Sequence, residues 1–410
     1  MAISTESRTS LSELLSDPAE LRAQVQVTVN STPVTDVHTH LFPPEFNELC
    51  LFGIDELLTY HYLIAETFRS ARVSPKQFWQ MSKTDQADLV WKTLFVENTP
   101  TSEAARGIVT VLDAFGLDTR AIHLDEARAF FSSRNLTAHL DHVFDIAGVN
   151  GVVMTNDPFD DAEDQIWNSD INMDHRFKSS LRLDRLVNQA QFDLSTITSV
   201  RDFLDDWIQR RNPVYMALSL PPDFKFPSEG TRDRLLREVV LPAAKEHQLP
   251  LTLMVGVRRG INMQLREAGD GVGRADVTAI ERLCAEYPEV KLLVTFLSRE
   301  NQHELCVAAR KFSNLMPFGC WWFLNNPSMV SEITRERFEL LGQSFIPQHS
   351  DARVLEQLIY KWQHARRQIA EALYDSYKQL LHRGRAVTRD EISRDVNRLF
   401  SGNFNDWICG

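Results

Sequence analysis

The sequence has little of what a nucleic-acid-binding or membrane protein needs. Its 410 residues include 44 lysines and arginines against 56 aspartates and glutamates, so the formal net charge is −12 at pH 7. Nucleic-acid binders usually present a basic face, and this balance therefore argues against nucleic acid and against an anionic membrane surface. No run approaches the roughly 18 apolar residues of a membrane span, and the N-terminal segment has no apolar core typical of a signal peptide.

Cysteine is also scarce. The five cysteines are odd in number and show no paired spacing, which predicts free thiols in a reducing compartment such as the cytoplasm. There is no repeat of fixed period and no low-complexity tract. Hydrophobic residues make up 43% of the chain, enough to build a large core. The composition leaves the oligomeric state open, including a homo-oligomer.

What recurs along the chain is a short, almost continuous apolar run followed by an amphipathic helical pattern. Runs of this kind are typical of parallel strands covered on both faces, and their alternation with helices predicts an α/β fold. Eight such units favour a closed (β/α)8 TIM barrel over the alternative, an open doubly wound sheet. The predicted strands are residues 34–37, 149–155, 180–183, 214–220, 251–256, 291–297, 316–323 and 345–348.

Three parts of the chain do not fit this alternation. Residues 41–148, between the first two strands, are rich in helical patterns and predict a helical insertion longer than an ordinary loop. Residues 375–410 predict a helical C-terminal tail, and residues 1–33 an N-terminal helical segment. We therefore assign residues 34–410 to the barrel together with its insertion and tail.

The first predicted strand ends in a pair of histidines. His38 and His40 are two residues apart, so in a strand their side chains point the same way. Asp351 follows the eighth strand, which neighbours the first in a closed barrel. Two imidazoles and a carboxylate at the C-terminal ends of the strands would suit zinc or manganese, with coordination positions left for water and substrate. The alternative for Asp351 is that it caps the following helix.

Arginines and tryptophans follow other strands. Arg182 closes the third strand, Arg259 follows the fifth beside Arg258, and Arg353 follows the eighth. A guanidinium fork matches both oxygens of a carboxylate, so three such strand ends favour a mouth that binds a small anion, although any one of them could be a surface ion pair. Trp321 and Trp322 could form the floor of a sugar-binding site, or they could fill the layer between the barrel and its helices.

The insertion contains one aromatic–histidine cluster, Thr59 to Tyr62. A packed helix face is the simplest interpretation of this cluster. The alternative is that the insertion folds over the barrel mouth, so that His61 or Tyr62 takes part in proton transfer.

An ordered set of strings from Asp36 to the C-terminus resembles the uronate isomerases, the glucuronate/galacturonate isomerases of the amidohydrolase superfamily. The resemblance lies in the order of the strings rather than in any single one. The matching residues are Asp36, His38, His40 and Leu41; His61 and Tyr62; Thr155 to Pro158 with Asp160; Arg182 to Asp184; Met254 to Asn262; Trp321 to Phe323; Ser350 to Arg353; and Gly402 to Ile408.

The resemblance implies a barrel of the metal-dependent hydrolase type and a site within it. A divalent metal ion, usually zinc, would be bound by His38, His40 and Asp351. Arg182 and Arg353 would hold the substrate, and His61 and Tyr62 would reach the reacting sugar. The implied reaction converts an aldohexuronate into a ketohexuronate: D-glucuronate into D-fructuronate, or D-galacturonate into D-tagaturonate. Asp351 is a further candidate for proton transfer.

The chain also departs from the family pattern. Met254 and Met216 stand where the family has barrel histidines, and a thioether is a poor zinc ligand that cannot carry a proton. His349, two residues before Asp351, is a candidate to compensate. These departures keep two other functions open: a hydrolase or decarboxylase that uses a metal-activated water, and a non-catalytic sugar-acid binder.

Overall fold

Seven parallel strands form the centre of the protein. The computed structural model describes residues 14–169, 172–188 and 197–409. Within them each strand pairs with the next one along the chain, so the sheet order follows the sequence order. The strands are β1 (Val34–Thr39), β2 (Val149–Asn156), β3 (Phe177–Arg182), β4 (Met216–Leu220), β5 (Leu251–Val255), β6 (Leu292–Phe296) and β7 (Leu315–Pro317).

The strands are buried because both faces of the sheet are covered. Every residue of β1, β5 and β6 is buried, including the polar ones, as expected for a parallel sheet with helices outside and side chains filling the interior. The interior cluster includes Val37, Val153, Met254 and Phe318. The curled sheet confirms the predicted (β/α)8-type barrel.

The eighth predicted strand is irregular. Residues 345–348 make one isolated parallel bridge, between Ile346 and Phe318, because Pro347 interrupts the ladder by offering no N–H. The segment nevertheless closes the barrel, since its backbone is hydrogen-bonded on both sides. The bonds run from Ile346 N to Pro317 O (3.1 Å), from Asp351 N to His38 O (3.2 Å) and from His40 N to Ala352 O (2.7 Å).

Helices surround the sheet. Most of the connections between strands carry one, on the outside of the barrel, and the longest of them follows the closing segment. These helices are Asp161–Trp167, Asp184–Asn188, Ile197–Arg211, Thr231–Leu235, Leu241–Glu246, Thr278–Glu286, Gln302–Ala309, Pro327–Leu341 and Gln357–His382, with a π-helical turn at Leu236–Val240 and 3-10 turns at Met263–Gly269, Arg299–Asn301 and Trp322–Leu324.

Residues 41–148 are helical and share one core with the longest helix. Gln357–His382 packs against Glu103–Ala114, Leu136–Ala147 and the N-terminal helix Pro18–Ser31. This packing fixes the insertion beside the barrel. Its elements are a 3-10 segment at Pro44–Leu49, the helices Ile54–Leu58, His61–Thr67, Pro75–Phe78, Lys83–Trp91, Glu103–Ala114, Asp125–Ser132 and Leu136–Ala147, and a π-helical turn at Lys92–Val96.

The two ends of the described chain meet. Leu14–Leu15 pairs antiparallel with Val387–Thr388, and Thr388 then caps the helix Arg389–Asn397 in a capping box with Glu391. A π-helical turn at Arg398–Gly402 and the helix Asn403–Cys409 follow. Residues 1–13 of the predicted N-terminal segment lie outside the described residues.

Candidate active site and metal centre

A cavity of about 170 Å³ opens at the C-terminal ends of the strands. Its walls come from the ends of β1 to β5, from the loop between β5 and β6, from the segment after β7, from the segment that closes the barrel, and from the insertion, which folds over the barrel mouth. All of the predicted site residues except Tyr62 line it: His38, His40, His61, Arg182, Arg259, Trp321, Trp322, Asp351 and Arg353.

The two histidines and the aspartate converge on one point. His38 Nε2 and His40 Nε2 lie 3.6 and 3.5 Å from Asp351 Oδ1. One ligand atom from each of the three residues lies within 4.8 Å of the others. Asp351 does not cap the following helix, whose N-cap residue is Glu356, and its Oδ1 has no hydrogen-bond partner among the described residues.

The electrostatics of this trio fit a cation. Burial lowers the pKa of His38 to about 3 and that of His40 well below its usual value, so both imidazoles are neutral at pH 7. Burial also raises the pKa of Asp351. Nitrogen and oxygen lone pairs therefore face one another, and a positive ion between them would remove the repulsion.

Each arginine of the mouth is paired with a carboxylate. Arg182 contacts Asp184 Oδ2 through Nε at 2.8 Å and Nη2 at 2.7 Å, and Arg259 Nη1 lies 2.5 Å from Asp270 Oδ2. Asp184 and Asp270, whose side chains are 14% and 7% exposed, hold the guanidinium groups of Arg182 and Arg259 before any ligand arrives. The third pair, formed by Arg353, lies at the rim.

The insertion contributes aromatic and imidazole groups. His61 lies edge-on to Trp322, with ring centroids 5.4 Å apart, and burial lowers the pKa of His61 to about 3. His61 Nε2 and Trp322 Nε1 are buried and have no partner among the described residues, so a polar ligand would satisfy both. The Tyr62 ring packs against that of His61, with centroids 4.4 Å apart and a tilt of 44°, and it faces Lys361, while Tyr60 lines the cavity.

The two methionines occupy different environments. Met254 lines the cavity, whereas Met216 is fully buried in the layer between the sheet and the outer helices. His349 does not join the metal trio. Its ring packs on Phe318 at 5.2 Å, and neither ring nitrogen has a partner within the described part of the chain.

Three cavity residues had no sequence signal that would single them out. Tyr60 belongs to the predicted aromatic cluster, but nothing in the string distinguishes it from Tyr62. Glu267 and Asp270 lie in an irregular loop after β5, and their partners, Arg353 and Arg259, are assigned only by the folded backbone.

No protein-family model and no curated protein matches this chain. A crystal structure of a uronate isomerase from Bacillus halodurans, however, is 50% identical to it. The match covers 96% of this chain and 97% of that one, with a TM-score of 0.93. The chain belongs to the uronate isomerase family. Membership covers the barrel, the insertion and the tail together, because the match runs over almost the full length of both proteins.

More distant structures share the fold. A glucuronate isomerase from Caulobacter crescentus is 15% identical, with a TM-score of 0.75 over 98% of this chain and 97% of that one. A putative metal-dependent hydrolase from Lactobacillus casei is also 15% identical, with a TM-score of 0.54 over 93% and 97%. The uronate isomerase family thus shares its fold with a protein that carries a hydrolase name, so the fold alone does not determine the reaction.

Proposed function

We propose that this protein interconverts an aldohexuronate and a ketohexuronate, D-glucuronate with D-fructuronate or D-galacturonate with D-tagaturonate. The observation that carries the proposal is one cavity that joins a cation-binding trio, His38, His40 and Asp351, to arginines suited to a carboxylate. The 50% identity to a protein named uronate isomerase supports the same reaction.

The residues present fit a divalent metal ion. His38, His40 and Asp351 would hold it, because their lone pairs converge and Asp351 Oδ1 has no partner in the described chain. Nitrogen and carboxylate donors suit zinc, with manganese as the alternative. When bound, the ion would polarise the carbonyl and hydroxyl oxygens of the sugar.

The arginines would hold the acid end of the substrate. Arg182, Arg259 and Arg353 lie at three strand ends around the cavity, and a sugar carboxylate can take a guanidinium fork in two-point contact. Trp321 and Trp322 offer flat apolar faces to the sugar ring. This set selects a monosaccharide acid over its neutral parent.

Isomerisation moves a proton from C2 to C1 and shifts the carbonyl. With Asp351 Oδ1 turned toward the ion, the other carboxylate oxygen, Oδ2, would take the C2 proton and return it at C1. His61 Nε2 is neutral and unpartnered in the same part of the structure, so it would move a proton at a neighbouring sugar oxygen. Tyr62, whose ring packs against that of His61, would hold His61 in place.

We also propose the cellular compartment of the protein and the class of molecule that it binds. Within the described ranges no helix combines the length and apolar character needed to cross a membrane. The cysteines are free, four of them buried, which supports the reducing cytoplasm. We expect a small anionic sugar and no nucleic acid as partner, and a homo-oligomer remains open.

Paired substrates test the proposal. Metal-supplied protein would be assayed with D-glucuronate, D-galacturonate and their neutral parents, D-glucose and D-galactose. We expect a ketose from at least one acid and from neither neutral sugar, and loss of turnover in Asp351→Asn. Equal turnover of acid and neutral sugars would show that the arginines around the cavity do not select the carboxylate of the substrate. Turnover of an ester, amide or lactone without any ketose would favour the hydrolase.

A further inference from the structure

A tyrosine contacts His38, one of the three residues of the metal trio, at the ring nitrogen that does not face Asp351. Tyr215 immediately precedes β4 and is fully buried, with its ring edge-on to Phe404 of the C-terminal helix Asn403–Cys409 at 6.3 Å. Its hydroxyl lies 3.2 Å from His38 Nδ1. A buried tyrosine hydroxyl needs hydrogen-bond partners, and one of its partners here is a residue of the metal trio.

The hydrogen-bond pattern determines which nitrogen of His38 carries the proton. The Tyr215 hydroxyl donates to Val37 O at 2.8 Å, so towards His38 it offers only a lone pair. The second neighbour of Nδ1, the Thr155 hydroxyl at 3.5 Å, likewise donates elsewhere, to Thr39 O at 2.9 Å. With both hydroxyl protons directed at these backbone carbonyls, we assign Nδ1 of the neutral ring as the protonated nitrogen.

This tautomer leaves the lone pair on Nε2, the atom that faces Asp351 Oδ1 at 3.6 Å. We propose that Tyr215 is a positioning residue for the metal site, because its hydroxyl accepts the Nδ1 proton of His38 and so directs the Nε2 lone pair at the ion. The proposal rests on the metal site proposed above. It gives Tyr215 a role in ion affinity beyond packing, since the outer partner of a ligating histidine sets its tautomer, orientation and basicity.

Removing the hydroxyl alone tests the proposal. Tyr215→Phe keeps the ring but takes the acceptor from Nδ1, and the affinity for Zn²⁺, measured by competition with a chelator, is expected to fall about 10- to 100-fold. Tyr377→Phe is the matched control. It removes another buried tyrosine hydroxyl, which donates to Asp395 at 2.7 Å in the C-terminal helices, and it is expected to leave the Zn²⁺ affinity within twofold of wild type.

The outcomes separate the two proposals. A wild-type protein that does not bind Zn²⁺ would overturn the metal site itself. Wild-type binding with unchanged affinity in folded Tyr215→Phe would overturn only the role of Tyr215. A loss of thermal stability without a loss of Zn²⁺ affinity would show that Tyr215 contributes only to packing.

Wild-type protein provides a second test that does not depend on the folding of Tyr215→Phe. In Zn²⁺-supplied protein with ¹⁵N-labelled histidine, we expect one ring with a slowly exchanging Nδ1–H, a metal-bound Nε2 and a nuclear Overhauser contact from that proton to the ring of Tyr215. A His38 ring bound to the metal through Nδ1, or one without a proton near Tyr215, would contradict the proposal.

Discussion

Arg353 donates a hydrogen bond from Nη1 to Glu267 Oε2 over 2.8 Å, at the rim of the cavity. Arg353 follows the segment that closes the barrel, and Glu267 lies in the loop after β5. The side chain of Glu267 is 74% exposed and that of Arg353 38%, so the pair is solvated and easily exchanged. A substrate carboxylate that binds Arg353 through Nη1 would displace this glutamate.

The displacement predicts that Glu267→Gln binds hexuronates more tightly. Exposed ion pairs contribute roughly 0.2–1 kcal/mol, so we expect KM to fall about 1.4- to 5-fold with kcat little changed. Steady-state kinetics would measure both constants. Glu304→Gln, which breaks the exposed pair with Arg274 away from the cavity, is the control. An unchanged or higher KM in Glu267→Gln would contradict the competition.

Arg182 is expected to matter through its shape as well as its charge. Its fork is held by Asp184, whose second oxygen accepts from Ser219 N at 2.6 Å. Arg182→Lys keeps the charge but loses the fork, so kcat/KM should fall roughly 10- to 100-fold. Arg299→Lys, on an exposed pair with Glu332, should leave kcat/KM unchanged. A fall in kcat/KM of less than twofold in Arg182→Lys would show that Arg182 does not bind the substrate.

The buried carboxyl of Glu163 predicts a pH dependence of stability. Burial raises its pKa to about 7, although it accepts hydrogen bonds from Asn156 Nδ2 and Asp157 N. The folded state therefore holds a proton that the unfolded state loses near the ordinary glutamate pKa of about 4.5. The stabilising contribution is complete below that pH and is lost as the pH rises through about 7.

Glu163→Gln cannot titrate, so it should flatten this trend. We expect the melting temperature of the wild type to fall more steeply than that of the variant between about pH 5 and pH 8. Thermal unfolding across this range would measure both slopes. Parallel curves would show that Glu163 is ionised in the folded protein at both ends of the range.

Lys361 and Glu103 form an ion pair with little solvent contact. Lys361 Nζ lies 2.8 Å from Glu103 Oε1, and the side chains are 4% and 17% exposed. Lys361→Met would leave the carboxylate without its partner, at a cost of about 3 kcal/mol or more in the free energy of unfolding. The double variant Lys361→Met/Glu103→Gln should regain part of this loss.

Denaturant unfolding of the two single variants and the double variant would give the coupling free energy. Lys245→Met, on the exposed pair with Glu289, should cost less than about 1 kcal/mol. Losses in Lys361→Met and Lys245→Met of equal size would mean that burial adds nothing to the Lys361–Glu103 pair.

The parts of the fold that depend on periodicity could be predicted from the sequence. Seven of the eight apolar runs contain strands, because a buried parallel strand needs an unbroken apolar stretch. The eighth run fails as a strand because Pro347 cannot donate to a ladder, and only tertiary hydrogen bonds hold it.

The site could be predicted only where strand ends determine it. His38 and His40 share a strand face, and closure of the barrel brings Asp351 beside them. The pairing of Arg353 with Glu267 depends on the path of an irregular loop, which has no periodic signal. Tyr215 carries no signal of its own in the sequence, because its partner, His38, lies on another strand.

Proton nuclear magnetic resonance in deuterated water tests the central claim most directly. Zn²⁺-supplied protein would be incubated with D-glucuronate and, separately, with D-galacturonate, while the C2 proton and the ketose signals are followed. The account predicts that a ketohexuronate appears from at least one of them and that the aldose signals fall in step. No ketose and no loss of the C2 proton from either sugar would contradict it.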